Sequence, residues 1–230
     1  MASNTLARAQ TVRLSMTLDL KAALRGALAY LVQEKSHCVI LIGGAGSLGK
    51  STLAVRLAEC IRTSGRSVSV LDLDCYLIPR ELREAQEPIV SGYNPKGYQL
   101  TQAVGDIQRL LSGHAVWVSP YDKANSTKAA EVEIPAGDVL VVEGALALRE
   151  PIRTFGTIGV FFDAPPDVLY ENRRERELLL GFGPERIERK FAGLRTDYEL
   201  YIREQIEHAH IVALVGADYG FTGLTFRNAV

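Results

Sequence analysis

Residues 38–51 read Cys-Val-Ile-Leu-Ile-Gly-Gly-Ala-Gly-Ser-Leu-Gly-Lys-Ser, and this stretch decides the fold. Its first five residues are apolar and predict a short strand that is buried on both faces. The turn that follows, 44–51, has the pattern of glycine, four residues, glycine, lysine and serine that is typical of a phosphate-binding P-loop. Apolar residues at helical spacing over 51–61 predict a helix directly after the loop.

The residue types in this loop suit the phosphates of a nucleotide. Glycines let backbone N–H groups turn inward around phosphate oxygens, and the start of the following helix adds the positive end of its dipole. The Lys50 ammonium is expected to reach the β- and γ-phosphates, and the Ser51 hydroxyl to bind Mg²⁺. Leu48 is unusual in such a loop but is compatible with binding through the backbone. The predicted nucleotide-binding residues are Gly44, Ala45, Gly46, Ser47, Leu48, Gly49, Lys50, Ser51 and Thr52.

Outward from the loop, apolar strands alternate with helical stretches. Further strands are predicted at 67–73, 115–118, 139–142, 158–162 and 211–215, and helices at 17–34, 101–111, 167–180 and 184–207. The segment 79–100, which holds Pro, Gly and Tyr, is predicted to be a long connection. This alternation predicts an α/β protein of the P-loop NTPase fold, with a doubly wound, mainly parallel sheet and helices on both faces. Ligands in such sheets bind at the carboxyl ends of the strands.

Acidic residues that follow apolar strands are the candidates for chemistry at that edge. Asp74 closes the second predicted strand, where a carboxylate could accept the proton of an attacking hydroxyl. Asp72, two residues earlier on the same strand face, could contact the water around Mg²⁺, and a structural role is equally compatible with its position. Glu143 follows an apolar strand, which is the Walker-B arrangement that holds Mg²⁺. Ser51, Glu143 and Asp74 are therefore the predicted metal-binding residues, whereas Asp163 is predicted to be structural.

Basic and aromatic side chains complete the predicted site. Arg173 and Arg176 are three residues apart on a predicted helix and therefore share one face, from which they could clamp the transferring phosphoryl group. Tyr76, Tyr93 and Tyr121 lie in predicted loops and could form the walls of a pocket for the phosphoryl acceptor.

Composition excludes several other classes of protein. The formal net charge of the 230 residues is −1, which gives no basic surface for nucleic acid or an anionic membrane. No apolar run is long enough to span a membrane. Three scattered cysteines do not form a disulfide framework and favour reduced thiols, so a cytoplasmic protein is expected.

The order of the motifs resembles the uridine kinase and phosphoribulokinase superfamily, over residues of about 38 to 215. The P-loop by itself is generic, and the more specific features come after it. They are Asp74-Cys75-Tyr76, Asn94-Pro95-Lys96-Gly97-Tyr98, Pro120-Tyr121-Asp122, the segment Asp-Val-Leu-Val-Val-Glu-Gly-Ala-Leu-Ala-Leu at 138–148, Phe162-Asp163, the arginine pair and Tyr201-Ile202.

The resemblance implies a kinase that uses Mg²⁺ and ATP and transfers phosphate to a hydroxyl of a small molecule. By the same match, Asp74 lies at the position of the catalytic base and Glu143 at that of the acid that organises Mg²⁺. Arg173 and Arg176 lie at the positions of lid arginines that meet substrate and phosphates, and Tyr121 at that of an aromatic residue facing a nucleobase. Members often self-associate, so a homo-oligomer is compatible with the resemblance.

Two departures concern the acceptor. Tyr93 stands where uridine kinases carry the Asp that grips the ribose diol, and Ser126 stands where they carry the His that reads the base. A site built to hydrogen-bond a hydroxyl discriminates by about 10⁴-fold through such bonds. We therefore expect an acceptor other than plain uridine, such as a modified nucleoside or another small hydroxylated metabolite.

Other interpretations stay open from the sequence. A nucleotide-dependent switch would hydrolyse ATP or GTP without an acceptor, although the Asn-Lys-x-Asp guanine motif is absent. A binding protein without turnover is disfavoured by the intact set of Lys50, Ser51, Asp74 and Glu143. A pantothenate-kinase-like or sugar kinase is compatible with the altered acceptor motifs. We expect residues 1–37 to form an arm and a helix packed on the core, and 38–230 the kinase domain with a helical lid at about 173–190.

Overall fold

The computed structural model describes residues 10–12, 19–33, 37–87 and 89–227. The strands among them are β1 (Gln10–Val12), β2 (Cys38–Gly44), β3 (Val68–Asp72), β4 (Val116–Val118), β5 (Tyr121–Asp122), β6 (Thr127–Lys128), β7 (Val132–Ile134), β8 (Val139–Glu143), β9 (Ile158–Asp163), β10 (Ile211–Val215) and β11 (Phe221–Phe226). The α-helices are α1 (Leu20–Gln33), α2 (Lys50–Thr63), α3 (Arg80–Glu84), α4 (Leu100–Leu111), α5 (Pro166–Leu179) and α6 (Pro184–Asp197).

A seven-stranded sheet in the order β1-β11-β10-β9-β2-β8-β3 organises the molecule. The five strands from β10 to β3 are parallel to one another, and β11 pairs antiparallel with both β10 and β1. Parallel neighbours need crossover connections, which the helices provide. The predicted doubly wound, mainly parallel sheet is confirmed.

The core forms around the central strand β2, whose residues are all buried. A strand with parallel neighbours on both sides and helices packed on it reads as an uninterrupted apolar run, as the sequence here does. Helix α2 packs one apolar face inward, and its buried apolar residues recur at intervals of three or four: Leu53, Ala54, Leu57, Ala58 and Ile61. No helix of the described residues is both long enough and apolar enough to cross a membrane.

The parallel arrangement brings the predicted acids to one edge of the sheet. Strand β8 ends at Glu143, and its Cα partner on β3 is Asp72. Asp74 follows β3 within a 3₁₀ turn, Leu73–Tyr76, that is capped when the Asp72 carboxylate accepts the backbone N–H of Asp74 at 2.8 Å. The P-loop leaves the same end of β2. The backbone N–H groups of the loop and the carboxylates therefore lie at the same edge of the sheet.

The helix predicted at 184–207 is interrupted, because α6 ends at Asp197 and a π-helical turn, Tyr198–Ile202, follows it. A 3₁₀ segment then carries Gln205 into the core. The Gln205 amide donates to the carbonyl of Ala145 at 2.9 Å, and its oxygen accepts the Leu148 N–H at 3.0 Å. These bonds hold the chain against the loop after β8. Just before them the backbone leaves α-helical spacing, although the sequence keeps its helical character.

Other boundaries also differ from the predictions. The strand at 211–215 is not the last one, since β11 turns back beside it, and 10–12 form the short edge strand β1. The connection 79–100 contains α3 and a 3₁₀ turn, Pro95–Gly97. Helix α1 covers most of the predicted 17–34, of which 17–18 and 34 lie outside the described residues.

Gly44 occupies a position that only glycine tolerates. Its φ is +119°, and a Cβ there would lie 2.3 Å from the carbonyl oxygen of Phe162, its partner on β9. We expect Gly44→Ala to lower the free energy of unfolding by about 3 kcal/mol or more, through backbone strain and steric overlap.

Denaturant unfolding followed by circular dichroism measures this loss. Gly105→Ala is the matched control, because Gly105 lies in helix α4 and a Cβ there has no neighbour within 4 Å. The control is expected to gain about 0.5–1 kcal/mol from helix propensity. A Gly44→Ala protein as stable as wild type would contradict the strained conformation at this position.

Candidate active site

A cavity of about 1080 Å³ opens at the carboxyl edge of the sheet. The P-loop forms one side, the ends of β3 and β8 form the floor, and helix α5 closes over the top. The segment after α3 and the turn that begins at Tyr121 form the opposite side. The volume and the mixture of polar and apolar walls suit a nucleotide together with a small second ligand.

The P-loop has the conformation that points backbone N–H groups at an anion. Ser47 and Gly49 have positive φ values of 62° and 86°, and Gly49 directly precedes α2. Gly46, Ser47, Gly49, Lys50, Ser51 and Thr52 line the cavity. Gly44, Ala45 and Leu48 do not line it. The Leu48 side chain lies instead in the hydrophobic core. This packing explains the apolar residue in the loop.

Lys50 is a buried cation between carboxylates. It is only 8% exposed, and its ammonium donates to the carbonyl of Ala45 at 2.7 Å. Burial lowers the pKa of Lys50, and the charges of Glu143 and Asp74 oppose this shift without cancelling it. A polyphosphate bound at the loop would add negative charge beside the ammonium and so oppose the effect of burial on its pKa.

Asp74 forms an ion pair that the sequence did not predict. Its Oδ2 lies 2.8 Å from the Nζ of Lys123, which directly follows Pro120-Tyr121-Asp122. Burial acts to raise the pKa of Asp74, but Lys123, Lys50 and Arg176 together outweigh burial, so the pKa lies below its usual value. Asp74 is therefore ionised at neutral pH and able to accept a proton.

Asp72, two residues away, is in the opposite electrostatic situation. Burial raises its pKa well above the usual value, and the charges of Asp74 and Glu143 add to this effect. Asp72 therefore favours the protonated form, while its Oδ1 caps the turn that carries Asp74. Two neighbouring carboxyl groups with pKa values shifted in opposite directions are typical of acid–base sites.

Glu143 fits the role of an acid that organises a magnesium ion. It is 4% exposed, lines the cavity, and its carboxylate accepts no hydrogen bond from any residue that the structure describes. A buried carboxylate normally has partners, so these oxygens are available to bind a cation or its water. Within the described residues no group of three or more His, Cys, Asp or Glu side chains forms a metal cluster. Mg²⁺ usually binds through one or two carboxylates and the substrate phosphates, which matches Ser51 with Glu143.

Arg173 and Arg176 project from α5 toward the P-loop. The Nη1 of Arg173 donates to the Tyr93 hydroxyl at 2.8 Å, and the Nη1 of Arg176 lies 3.5 Å from the Ser47 hydroxyl. Arg174, on another face of the helix, pairs instead with Glu171 near the surface. The two cavity arginines lie near the end of α5, and the predicted lid at 173–190 continues through the turn at 180–183 into α6.

The three predicted tyrosines have different surroundings. Tyr93 and Tyr121 line the cavity. The prediction for Tyr76 disagrees with its placement, because Tyr76 is 1% exposed, does not line the cavity, and donates its hydroxyl to Asp106 on α4 at 2.9 Å. The 3₁₀ turn that presents Asp74 to the cavity directs Tyr76 into the core.

Sequence reasoning missed three basic residues on the side of the cavity formed by the segment after α3 and the turn that begins at Tyr121. Arg80, Arg83 and Lys123 all line the cavity. Arg83 is buried, and its guanidinium donates to the carbonyls of Ile78 and Val90 and to the Tyr121 hydroxyl. It thereby holds the segment after α3 against the turn that carries Lys123. The signal available in the sequence was the position of Lys123 next to the Pro-Tyr-Asp motif.

Ser126 lies apart from the cavity. It is buried, does not line the cavity, and its hydroxyl has no hydrogen-bond partner within the described part of the chain. Its positive φ of 60° belongs to the turn between β5 and β6. The side chain at this position is therefore not placed to contact an acceptor.

Known proteins resemble the chain in sequence and in fold. A curated uridine kinase from Leuconostoc citreum is 27% identical over 183 residues, which cover 77% of this chain and 87% of the relative. A D-glycerate 3-kinase from Cryptococcus neoformans superposes with a TM-score of 0.70 at 11% identity, over 90% of this chain and 99% of that one. A phosphoribulokinase from Rhodobacter spheroides superposes with a TM-score of 0.62 at 12% identity, over 78% and 70% of the two chains. At such low identity the structural matches establish the fold alone.

The sequence profile of one family, described as the phosphoribulokinase / uridine kinase family, matches residues 39–219. The match begins in β2, runs through the P-loop, the acids and the arginine helix, and ends after β10. The chain belongs to the phosphoribulokinase / uridine kinase family.

Proposed function

We propose that this protein transfers the γ-phosphoryl group of ATP to a hydroxyl of a small, nucleoside-like or other metabolite that is not plain uridine. Its family makes the chain a P-loop kinase, a phosphotransferase that acts on alcohol groups of small molecules. The observation that carries the proposal is the convergence of Lys50, Asp74, Arg173 and Arg176 on one cavity.

The donor half of the site holds the triphosphate. In the proposed complex the P-loop N–H groups and Lys50 bind the phosphates, and Ser51 and Glu143 would hold Mg²⁺, which neutralises phosphate charge when bound. Arg173 and Arg176 approach from the lid helix and balance charge on the transferring group. Closure of this helix over the cavity would exclude water, which otherwise competes as acceptor.

The acceptor half carries the base. The acceptor hydroxyl gives its proton to the Asp74 carboxylate as its oxygen attacks the γ-phosphorus. A new oxygen–phosphorus bond forms, and the bond from the γ-phosphorus to the bridging oxygen breaks, so that ADP leaves. Lys123 keeps Asp74 ionised before the reaction, and Asp72 fixes the position of the turn that carries it.

Two features of the cavity support an acceptor other than uridine. Tyr93 stands where the uridine kinase pattern has a diol-binding Asp, and its hydroxyl is engaged by Gly46 and Arg173. Ser126 stands where that pattern has a base-reading His, and its side chain lies outside the cavity. Without these two contacts the hydrogen bonds that select uridine are missing.

ADP release in the presence of different acceptors tests the proposal. Nucleosides, modified nucleosides, pentoses, hexoses, pantothenate and glycerate are each mixed with the protein and Mg-ATP, and phosphorylated products are identified by mass spectrometry. We expect release that depends on one class of acceptor and is weak with uridine. Efficient phosphorylation of uridine would contradict the acceptor assignment, and full-rate hydrolysis without any acceptor would favour a nucleotide-dependent switch.

Lys123→Met is expected to shift the acid limb of the pH profile of kcat/KM toward higher pH. Lys123 lowers the pKa of Asp74, so its loss leaves burial less opposed and raises that pKa. The base is then protonated over more of the acidic range, and the variant loses more activity at about pH 6 than at about pH 8. Initial rates across this range measure the shift.

Lys96→Met is the matched control for this variant, since Lys96 is exposed and does not line the cavity. Its profile is expected to coincide with that of wild type. An unchanged acid limb in Lys123→Met would exclude the ion pair as the group that sets the ionisation of Asp74.

A further inference from the structure

The Tyr93 hydroxyl joins the P-loop to the lid helix. Its Oη accepts the backbone N–H of Gly46 at 2.8 Å and the Nη1 of Arg173, also at 2.8 Å. Tyr93 is 7% exposed and lines the cavity. One side chain therefore receives a donor from each of the two elements expected to bind phosphate.

The ring of Tyr93 is fixed from several directions. Its own backbone N–H donates to the Ser91 hydroxyl at 3.0 Å, and the guanidinium carbon of Arg173 lies 5.3 Å from the ring centroid. The ring of Tyr198 packs beside it at 6.4 Å. A Cβ at Gly46 would lie 3.4 Å from both the Tyr93 hydroxyl and Arg173, so these groups pack directly against the loop.

The hydrogen-bonding capacity of the hydroxyl is only partly used. A phenol oxygen offers acceptor lone pairs and one proton, and here two donors occupy the lone pairs. Within the part of the chain that the structure describes, no acceptor receives the proton of Tyr93. The proton is left for the cavity, which Lys50 and Arg176 also line.

We propose that Tyr93 is a preorganised hydrogen-bond donor to the terminal phosphoryl group of the bound nucleotide. Gly46 and Arg173 fix the oxygen, so the hydroxyl presents its proton beside the P-loop. A donor held in place before the reaction stabilises charge on phosphoryl oxygens without further reorganisation. The inference rests on the proposed function only for the nature of the ligand. It assigns Tyr93 a contact with the phosphoryl group, whereas the sequence predicted a contact with the acceptor.

Nucleotide affinities test this role without any acceptor. Tyr93→Phe keeps the ring, its packing on Tyr198 and the cation–π contact, and removes only the hydroxyl. We expect its affinity for Mg-bound β,γ-methylene ATP to fall about tenfold, as for a lost hydrogen bond to a charged group, and its affinity for Mg-ADP to stay within about twofold. Isothermal titration calorimetry measures both, and with a suitable acceptor kcat is expected to fall at least about tenfold.

Tyr198→Phe is the matched control, because Tyr198 does not line the cavity and its hydroxyl lies 3.4 Å from Asp163. Its affinities for both nucleotides are expected to equal those of wild type. Equal or tighter binding of the triphosphate analogue by Tyr93→Phe would overturn the inference, since the hydroxyl would then be a spectator or a competitor.

The two proposals fail in different ways. If wild type phosphorylates no acceptor but its triphosphate affinity depends on the Tyr93 hydroxyl, the proposed function is contradicted and the donor role of Tyr93 is supported. If the Tyr93→Phe variant transfers phosphate at the normal rate, the donor role of Tyr93 is contradicted and the proposed function is supported. Absence of nucleotide binding by wild type would overturn both.

Discussion

Lys50→Met is expected to lower kcat for phosphoryl transfer at least about a thousandfold, because it removes the one cation that lies within the P-loop. The Lys50 ammonium lies where the loop amides meet Asp74 and Glu143, and its burial strengthens its attraction to any anion placed there. Methionine keeps the length and packing of the side chain without its charge. The transferring phosphoryl would then face two carboxylates with the loop cation missing.

Single-turnover kinetics measure the loss in the rate of phosphoryl transfer, and nucleotide titration measures the loss in affinity. Affinity for Mg-ATP is expected to fall about tenfold or more, since a charge-assisted contact is lost in the ground state as well. Thermal unfolding checks that the fold survives, and Lys96→Met, an exposed lysine outside the cavity, serves as the control. Near-normal turnover in Lys50→Met would contradict the placement of the γ-phosphate at this loop.

The parts of the fold that follow from local sequence were predictable. The buried strand, the glycine turn and the helix after it are consecutive, so residues 38–61 contain their own signal. Asp74 and Glu143 were predicted at this edge because Glu143 ends an apolar strand and Asp74 lies just after another, and parallel strands bring their ends to one edge. Here the spacing along the chain is sufficient to place the side chains.

Contacts between distant segments were not predictable in the same way. The pairing of Lys123 with Asp74 joins residues on separate elements, and the position of Lys123 directly after Pro120-Tyr121-Asp122 does not by itself show which side chain it pairs with. The bond from Tyr93 to Gly46 likewise spans 47 residues of chain. Such contacts depend on how the 79–100 connection folds over the sheet edge, and that connection has no periodic pattern.

Two further errors arose where local periodicity and tertiary packing disagree. Tyr76 follows Asp74 closely, but a 3₁₀ turn places them on different sides, so one faces the cavity and the other α4. The helical pattern of 184–207 continues past Asp197, yet a π-helical turn follows there and leads to the contact of Gln205 with the core. In both places packing decides the backbone, as is usual for short or strained segments.

The environments of Asp72 and Asp74 determine which of them can serve as the base. Both are aspartates near the end of β3, and the sequence alone distinguishes them only by position. Asp72 has a raised pKa because of burial and the charges of Asp74 and Glu143. It therefore tends to hold a proton already, which leaves it less able to take one from an attacking hydroxyl. Asp74 has a lowered pKa, against the effect of burial, because Lys123 and Lys50 stabilise its charge. A base must be ionised before the reaction, which selects Asp74.

Asp74→Asn is therefore expected to reduce kcat by about a thousandfold or more, within the range for loss of a general base. Asparagine keeps the shape of the side chain and the backbone N–H bond to Asp72, but it cannot take a proton. The acceptor hydroxyl would have to attack with its proton in place, while Mg-ATP still binds at the intact loop. We expect the affinity for Mg-ATP, measured by calorimetry, to stay within about threefold of wild type, so that kcat and kcat/KM fall together.

Asp163→Asn makes the same chemical change at the end of strand β9, which β2 and β8 separate from β3. Asp163 does not line the cavity and accepts hydrogen bonds from Ala164 and Tyr198. This variant should retain at least about half of the wild-type turnover, as a substitution away from the reacting groups does. If Asp74→Asn turned over as fast as this control, proton transfer to Asp74 would be excluded. If instead Asp74→Asn lost Mg-ATP affinity as severely as turnover, the carboxylate would act on the metal, because a base acts only when the acceptor attacks. The ratio of these two losses thus distinguishes the base from the metal ligand, which the position of Asp74 at the strand end cannot do.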